Sequence, residues 1–132
     1  MTPPYQTPQD TEDAYYDAID EGDLGAMMTV WEESDEILCL LPMMPAQRGR
    51  AAIETAWGAL LNEDVKLDIE IKHLSWIETD NVAIHLIEEL VKADPETPPH
   101  PVYATNIYRK GDQGWCLVMH QNSPTPPPGL QV

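Results

Sequence analysis

Apolar residues recur along this chain with two different periods, and proline separates the segments. Residues 8–21 carry Tyr15, Ala18 and Ile19 as a stripe with Ala14 beside it, the three-to-four spacing of a helix face. Thr7 suits the N-cap, Pro8 the first helical position, and Asp10 stands three residues after the cap. Gly22 offers a left-handed stop, and Asp23 then caps a second helix from Leu24 to about Trp31. Residues 50–62 repeat the helical spacing, with Ile53, Ala56, Trp57, Leu60 and Leu61 on one face.

Elsewhere the period falls to two. The apolar run 36–41, ended by Pro42, predicts a short strand. Val65, Leu67, Ile69, Ile71 and His73 alternate with Lys66, Asp68, Glu70 and Lys72, which predicts a half-buried strand. The alternation breaks near residues 74–76, the mark of a bulge or bend. Strands over 82–92, 102–110 and 115–122 follow, with turns at Asp80-Asn81 and at residues 111–114. Sequential strands with short turns pair antiparallel. The order predicts an α+β fold: three helices from the N-terminal half pack on one face of a curved, mainly antiparallel sheet, with a cavity between. Proline clusters in residues 3–8, 95–101 and 124–128, and is absent from 9–41 and 46–94. That distribution predicts an extended arm over 1–7, a single domain over 8–122, a loop over 92–101 and a proline-rich tail over 123–132.

Charge narrows the function. Asp and Glu number 23 against 7 Lys and Arg, for a formal net charge of −16. Such a surface repels a phosphate backbone and an anionic membrane, so neither nucleic acid nor membrane is expected as a partner. Every base lies at or beyond Arg48, so the acids of the first two helices are expected to coat an outer helical layer. The sheet face is then more neutral and able to pair with a second copy. The first residues have neither a basic segment nor an apolar one, so no signal peptide is read, and the expected location is cytoplasmic. Cys39 and Cys116 sit in apolar runs and suit buried free thiols.

The segments AYYDAIDEGDLGAMMTVW, LCLLP, RGRAAIETAW and ATNIYRKGDQGW followed by HQNSP resemble the SnoaL-like branch of the NTF2-like superfamily, in their order and spacing across residues 11–126. That superfamily includes ketosteroid isomerase, polyketide cyclases, scytalone dehydratase and the association domain of calmodulin-dependent kinase II. The resemblance implies a conical α+β barrel with a central pocket, usually a homodimer packed through the sheet. For enzymatic members it implies proton transfer next to a carbonyl. Related chains typically carry a histidine two residues beyond the first-strand cysteine and a run of three histidines near the end. Here Leu41 stands at the first of these positions, Met43 and Met44 replace a glycine and a tryptophan, and Met119 and Gln121 flank a single His120.

Proton transfer of this kind needs a tuned general base, a donor for the developing oxyanion and an apolar wall. Among strand carboxylates, Asp68 reads as solvated. Glu88 and Glu89 are adjacent, so a regular strand turns one of them inward. The plainer alternative is an ion pair with Arg109 or Lys110. His120, placed by simple alternation on a face with Cys116 and Val118, is the leading acid, base or donor. His73 continues the apolar face of its strand, His85 opposes Ile84 and Leu86, and His100 lies in the proline-rich loop. No histidine pair has metal-ligand spacing, so no metal and no cofactor is expected. Asn106, Tyr16, Trp31, Trp57, Leu41, His73 and Tyr108 are candidate ligand contacts for a small apolar or carbonyl-containing molecule. Met27, Met28, Met43 and Met44 suit an adaptable apolar wall, a lid or plain core. Phosphate-binding glycine loops, nucleophile elbows and dinucleotide fingerprints are absent from the sequence. Two readings follow. One is a cofactor-independent isomerase, cyclase or dehydratase using His120, Glu88 or Glu89, and Asn106. The other is a non-catalytic module for ligand sensing or oligomerisation.

Overall fold

The structure is a computed structural model that describes residues 5–61, 67–92, 96 and 100–126. Three helices, α1 (Pro8–Glu21), α2 (Leu24–Val30) and α3 (Arg50–Leu60), accompany six strands. These are β1 (Leu38–Leu40), β2 (Gln47–Arg48), β3 (Asp68–Glu78), β4 (Val82–Lys92), β5 (His100–Gly111) and β6 (Gly114–Pro124). They form one open sheet in the order β2-β1-β6-β5-β4-β3. The helices cover one face of it, giving the expected α+β architecture. Asn62, Val65, Lys66, most of the expected 92–101 loop and the outer parts of the expected arm and tail lie outside the described residues.

Local chemistry sets the helix ends as expected. The Thr7 side chain accepts from the Asp10 amide, Gly22 closes α1 at φ 67°, and the Asp23 carboxylate accepts from the Ala26 amide. The end of α2 is held from a distance: the Arg50 guanidinium donates to the carbonyls of Met28, Trp31 and Glu32. Tyr15, Met27, Trp31, Ile53, Trp57, Tyr108 and Leu117 build the core between helices and sheet. Met27 and Met28 belong to it.

Four features differ from the periodicity. β2 is only two residues long and leaves no pattern to read. β1 pairs parallel with β6, because these strands are not hairpin neighbours and nothing forces antiparallel pairing. β3 is an edge strand and is more exposed than half-buried, with Leu74, Trp76 and Ile77 open to solvent. Two bulges also reset the alternation. Leu74 is the extra residue on β3, at the expected break, and Val118 is the extra residue on β6.

The inner face of β4 is Ala83, His85, Ile87 and Glu89. Glu88 therefore points to the outer face, paired across strands with Lys72 and Tyr103. The Val118 bulge moves His120 off the face of Cys116 and Val118, and puts it with the inward Trp115 and Leu117. Glu12 is the exception to the acidic outer layer: it is fully buried beneath α1.

Candidate functional site

One row of side chains crosses the inner face over five strands: Trp76, His85, Asn106, His120 and Cys39 are successive cross-strand partners. Helix α1 lies above the row and lowers Glu12 and Tyr16 onto it, one helical turn apart. Two polar clusters result.

The first is a closed hydrogen-bonded ring. Tyr16 donates to Glu89 Oε2 at 2.7 Å and accepts from Asn106 Nδ2 at 3.1 Å. Asn106 Oδ1 meets His120 Nδ1 at 2.5 Å. His120 Nε2 meets Asn122 Oδ1 at 2.8 Å, and Asn122 Nδ2 donates to Glu89 Oε1 at 2.9 Å and to the Tyr103 carbonyl at 3.1 Å. Asn122 is thereby fixed with its oxygen towards His120.

Both nitrogens of His120 thus face amide oxygens, an arrangement that suits an imidazolium balanced by the Glu89 carboxylate. Burial opposes this charge. It pushes His120 below the ordinary histidine value, against the Glu89 charge and the Asn122 hydrogen bond, which pull it up.

Glu89, His120 and Asn122 open onto a cavity of about 200 Å³. Its other walls are mainly apolar and include Ile19, Leu41, Met44, Trp57, Leu60, Leu67, Ile69 and Val102. Tyr15 also lines it, and its buried hydroxyl has no hydrogen-bond partner among the described residues. Burial, then the neighbouring Cys39 and Glu89, push this phenol well above its ordinary value, so it stays a donor. A hollow of about 420 Å³ beside the cavity shares Leu41, Pro42, Val102 and Asn122 with it. Met43 stands on the rim of that hollow, fully exposed, with φ 61°. At the end of the row, burial pushes the Cys39 thiol up to about 12, so it keeps its proton near neutrality. Cys39 and Cys116 are both free, the former buried and the latter half-buried.

The second cluster is Glu12, His73 and His85. Glu12 Oε1 and Oε2 lie 2.9 and 3.0 Å from His73 Nε2, and Oε2 lies 2.8 Å from His85 Nδ1. Burial would raise the Glu12 carboxyl, but the hydrogen bonds and charges of His85 and His73 prevail and hold it below the usual range. Trp76 stacks on His85 with ring centroids 3.8 Å apart.

Of the sequence candidates, Glu89, His120, Trp57 and Leu41 line the cavity, and Tyr16 and Asn106 form the ring behind it. Glu88 is on the opposite face. Trp31 and Tyr108 are fully buried away from the cavity wall, and His73 belongs to the Glu12 cluster. Arg109 pairs with Glu32 and Glu36, not with Glu88 or Glu89. Two residues of the cavity and the second cluster hide in patterns that explain them otherwise: Tyr15 matches the helix core stripe, and Glu12 matches the acidic layer. Asn122 gives no signal at all, because its role depends on the Val118 bulge.

Residues 9–127 match the SnoaL-like domain family. No curated protein matches the chain. Among solved structures, a protein named as a candidate calcium/calmodulin-dependent protein kinase type II association domain, from Thiobacillus denitrificans, is similar at 31% identity and a TM-score of 0.88. The alignment covers 94% of this chain and 99% of that one. A candidate dehydratase of the NTF2-like family from Streptomyces avermitilis aligns at 21% identity and TM-score 0.77, over 89% and 92% of the two chains. A ketosteroid isomerase-like protein from Erwinia carotovora atroseptica aligns at 16% identity and TM-score 0.68, over 90% and 94%. These last two share the fold. No helix among the described residues is long and apolar enough to cross a membrane.

Proposed function

The chain belongs to the SnoaL-like family of the NTF2-like superfamily, and from that premise we propose that it binds a small organic carbonyl compound in the Glu89–His120 cavity and moves a proton on it. The observation that carries this reading is the hydrogen-bonded ring: a buried carboxylate and a buried imidazole are joined through it and open onto one apolar cavity. In the proposed reaction Glu89 removes the proton beside the carbonyl, and the C–H electron pair becomes the enolate. The free Tyr15 hydroxyl donates to the enolate oxygen. His120 exchanges the abstracted proton through the ring, and the proton returns to carbon to complete an isomerisation, or to a departing hydroxyl in a dehydration. The cavity is smaller than the roughly 300–1,000 Å³ of most drug-sized sites, so the substrate is compact or extends into the adjoining hollow. No cofactor enters this scheme.

The experiment is deuterium exchange at the carbon next to the carbonyl of 2-cyclohexenone, followed by NMR in D2O. The expected result is exchange faster than buffer alone, lost in Glu89→Gln and slowed in His120→Gln and Tyr15→Phe. Exchange no faster than buffer, or equally fast in Glu89→Gln, overturns the proposal.

The outer face supports an assembly role alongside. Ile77, Ile84, Ile107 and Met119 form a cross-strand aliphatic row there, with Leu86 beside it. We propose that a second copy of the chain covers this face, and the likeness to a protein named as an association domain supports that reading.

A further inference from the structure

We propose that Glu12, His73 and His85 form a binding site for a divalent transition-metal ion of the zinc type, separate from the cavity. Three elements supply the donors: α1 carries Glu12, β3 carries His73 and β4 carries His85. Their ligand atoms all lie within 4.8 Å of one another. The carboxylate–imidazole separations of 2.8–3.0 Å are those of shared protons. About an ion with bonds of about 2.0–2.2 Å, neighbouring ligands stand about 2.8–3.1 Å apart at right angles and about 3.3–3.6 Å apart in a tetrahedron, so these side chains need to spread by only a few tenths of an ångström to hold one. When both imidazoles are neutral and the bridging protons leave, two ring nitrogens and one carboxylate stand beside one another as free donors. Two imidazoles with one carboxylate are a donor set for zinc, iron, cobalt or manganese rather than for calcium or magnesium.

Three further features fit an ion at this point. Glu12 is fully buried, and no Lys or Arg pairs with it among the described residues, so its charge is met only by the two imidazoles. The Leu74 bulge brings His73 and Trp76 together on the inner face, three residues apart, where regular alternation would separate them. Trp76 then packs against both histidine rings and holds their orientation. His73 is about one-third exposed, which gives an ion a way in and leaves coordination positions towards solvent. The strongly negative chain raises the local concentration of cations.

The test uses the full chain freed of metal with a chelator. Zn2+ alone is titrated by calorimetry, and Co2+ alone by its visible absorption, which reports nitrogen and oxygen ligation directly. The expected result is one ion per chain, with a Co2+ band that Zn2+ displaces. Glu12→Gln and His73→Ala are each expected to weaken Zn2+ binding by at least about tenfold, while Glu54→Gln on the exposed face of α3 leaves it unchanged. His73 is partly exposed, so His73→Ala keeps the measurement decisive if Glu12→Gln fails to fold. Absence of saturable one-to-one binding, or equal affinity in His73→Ala, overturns the site.

Discussion

His120 and Glu89 are joined twice: through Asn122 on one side, and through Asn106 and Tyr16 on the other. The double link ties the protonation of each to the other, because every amide and hydroxyl between them must turn to suit both. It also explains how two ionisable groups stay buried against an apolar cavity. Every polar atom between them has a partner within hydrogen-bond reach, so little desolvation cost is left unmet. The Tyr15 hydroxyl stands outside the ring with no hydrogen-bond partner among the described residues, and in the proposed reaction the substrate oxygen takes that place.

The depressed pKa of His120 makes a stability prediction with a definite sign. Its folded value lies below the unfolded value of 6.5, so the unfolded chain binds the extra proton first. Stability is therefore full above that value and falls as pH drops below it, by up to about 1.4 kcal/mol per unit until the folded group also titrates. Urea unfolding at about pH 7.5, 6.5 and 5.5 checks this, a range above the ordinary carboxylate values. His120→Gln is expected to flatten the slope, and a wild-type slope unchanged by that substitution counts against the assignment.

A second prediction concerns how the chain enters α1. Gly114 adopts φ 123°, and a Cβ there would meet the Tyr5 carbonyl oxygen at 2.5 Å. That carbonyl accepts from the Trp115 amide at 2.9 Å, and the Tyr5 hydroxyl bonds Thr29 Oγ1 at 3.0 Å. Residue 5 is thus tied to both β6 and α2. Gly114→Ala combines backbone strain with the loss of this tie, so thermal unfolding is expected to show a loss of about 1–3 kcal/mol. Gly111→Ala, whose added Cβ would meet only ordinary contact at 3.8 Å, is expected to cost much less.

Much of this architecture is legible in the order of the amino acids. Thr7, Gly22 and Asp23 mark helix ends because capping is a local matter, settled within three or four residues. The Glu88–Glu89 pair also announces that one carboxylate turns inward, since strand geometry permits nothing else. What local rules miss is the partner of each inward group. Glu12 has the same sequence context as the solvated acids around it, and its burial depends on two histidines more than sixty residues away. Simple alternation gives His120 the wrong neighbours, because a single extra residue, Val118, inverts the pattern before it. The Leu74 bulge shows as a broken pattern, but what it aligns, His73 with Trp76, emerges only once β4 is alongside.

The last prediction addresses the outer sheet face. Ile77 is 57% exposed and Leu86 36% exposed, and the aliphatic row runs across four strands without a charge in it. Edge strand β3 carries part of this surface, so leaving it bare would invite unregulated pairing. A second copy laid on the face removes that area from water and keeps the acidic helices of both chains apart, since they cover the opposite side of each sheet. Leu86→Lys places a charge in the centre of the patch without touching the ring or the Glu12 cluster. Sedimentation velocity is expected to show a dimer for the wild type and a monomer for the variant, with unchanged far-ultraviolet circular dichroism. A wild-type monomer removes the proposed partner, and a Leu86→Lys dimer moves the interface to another surface.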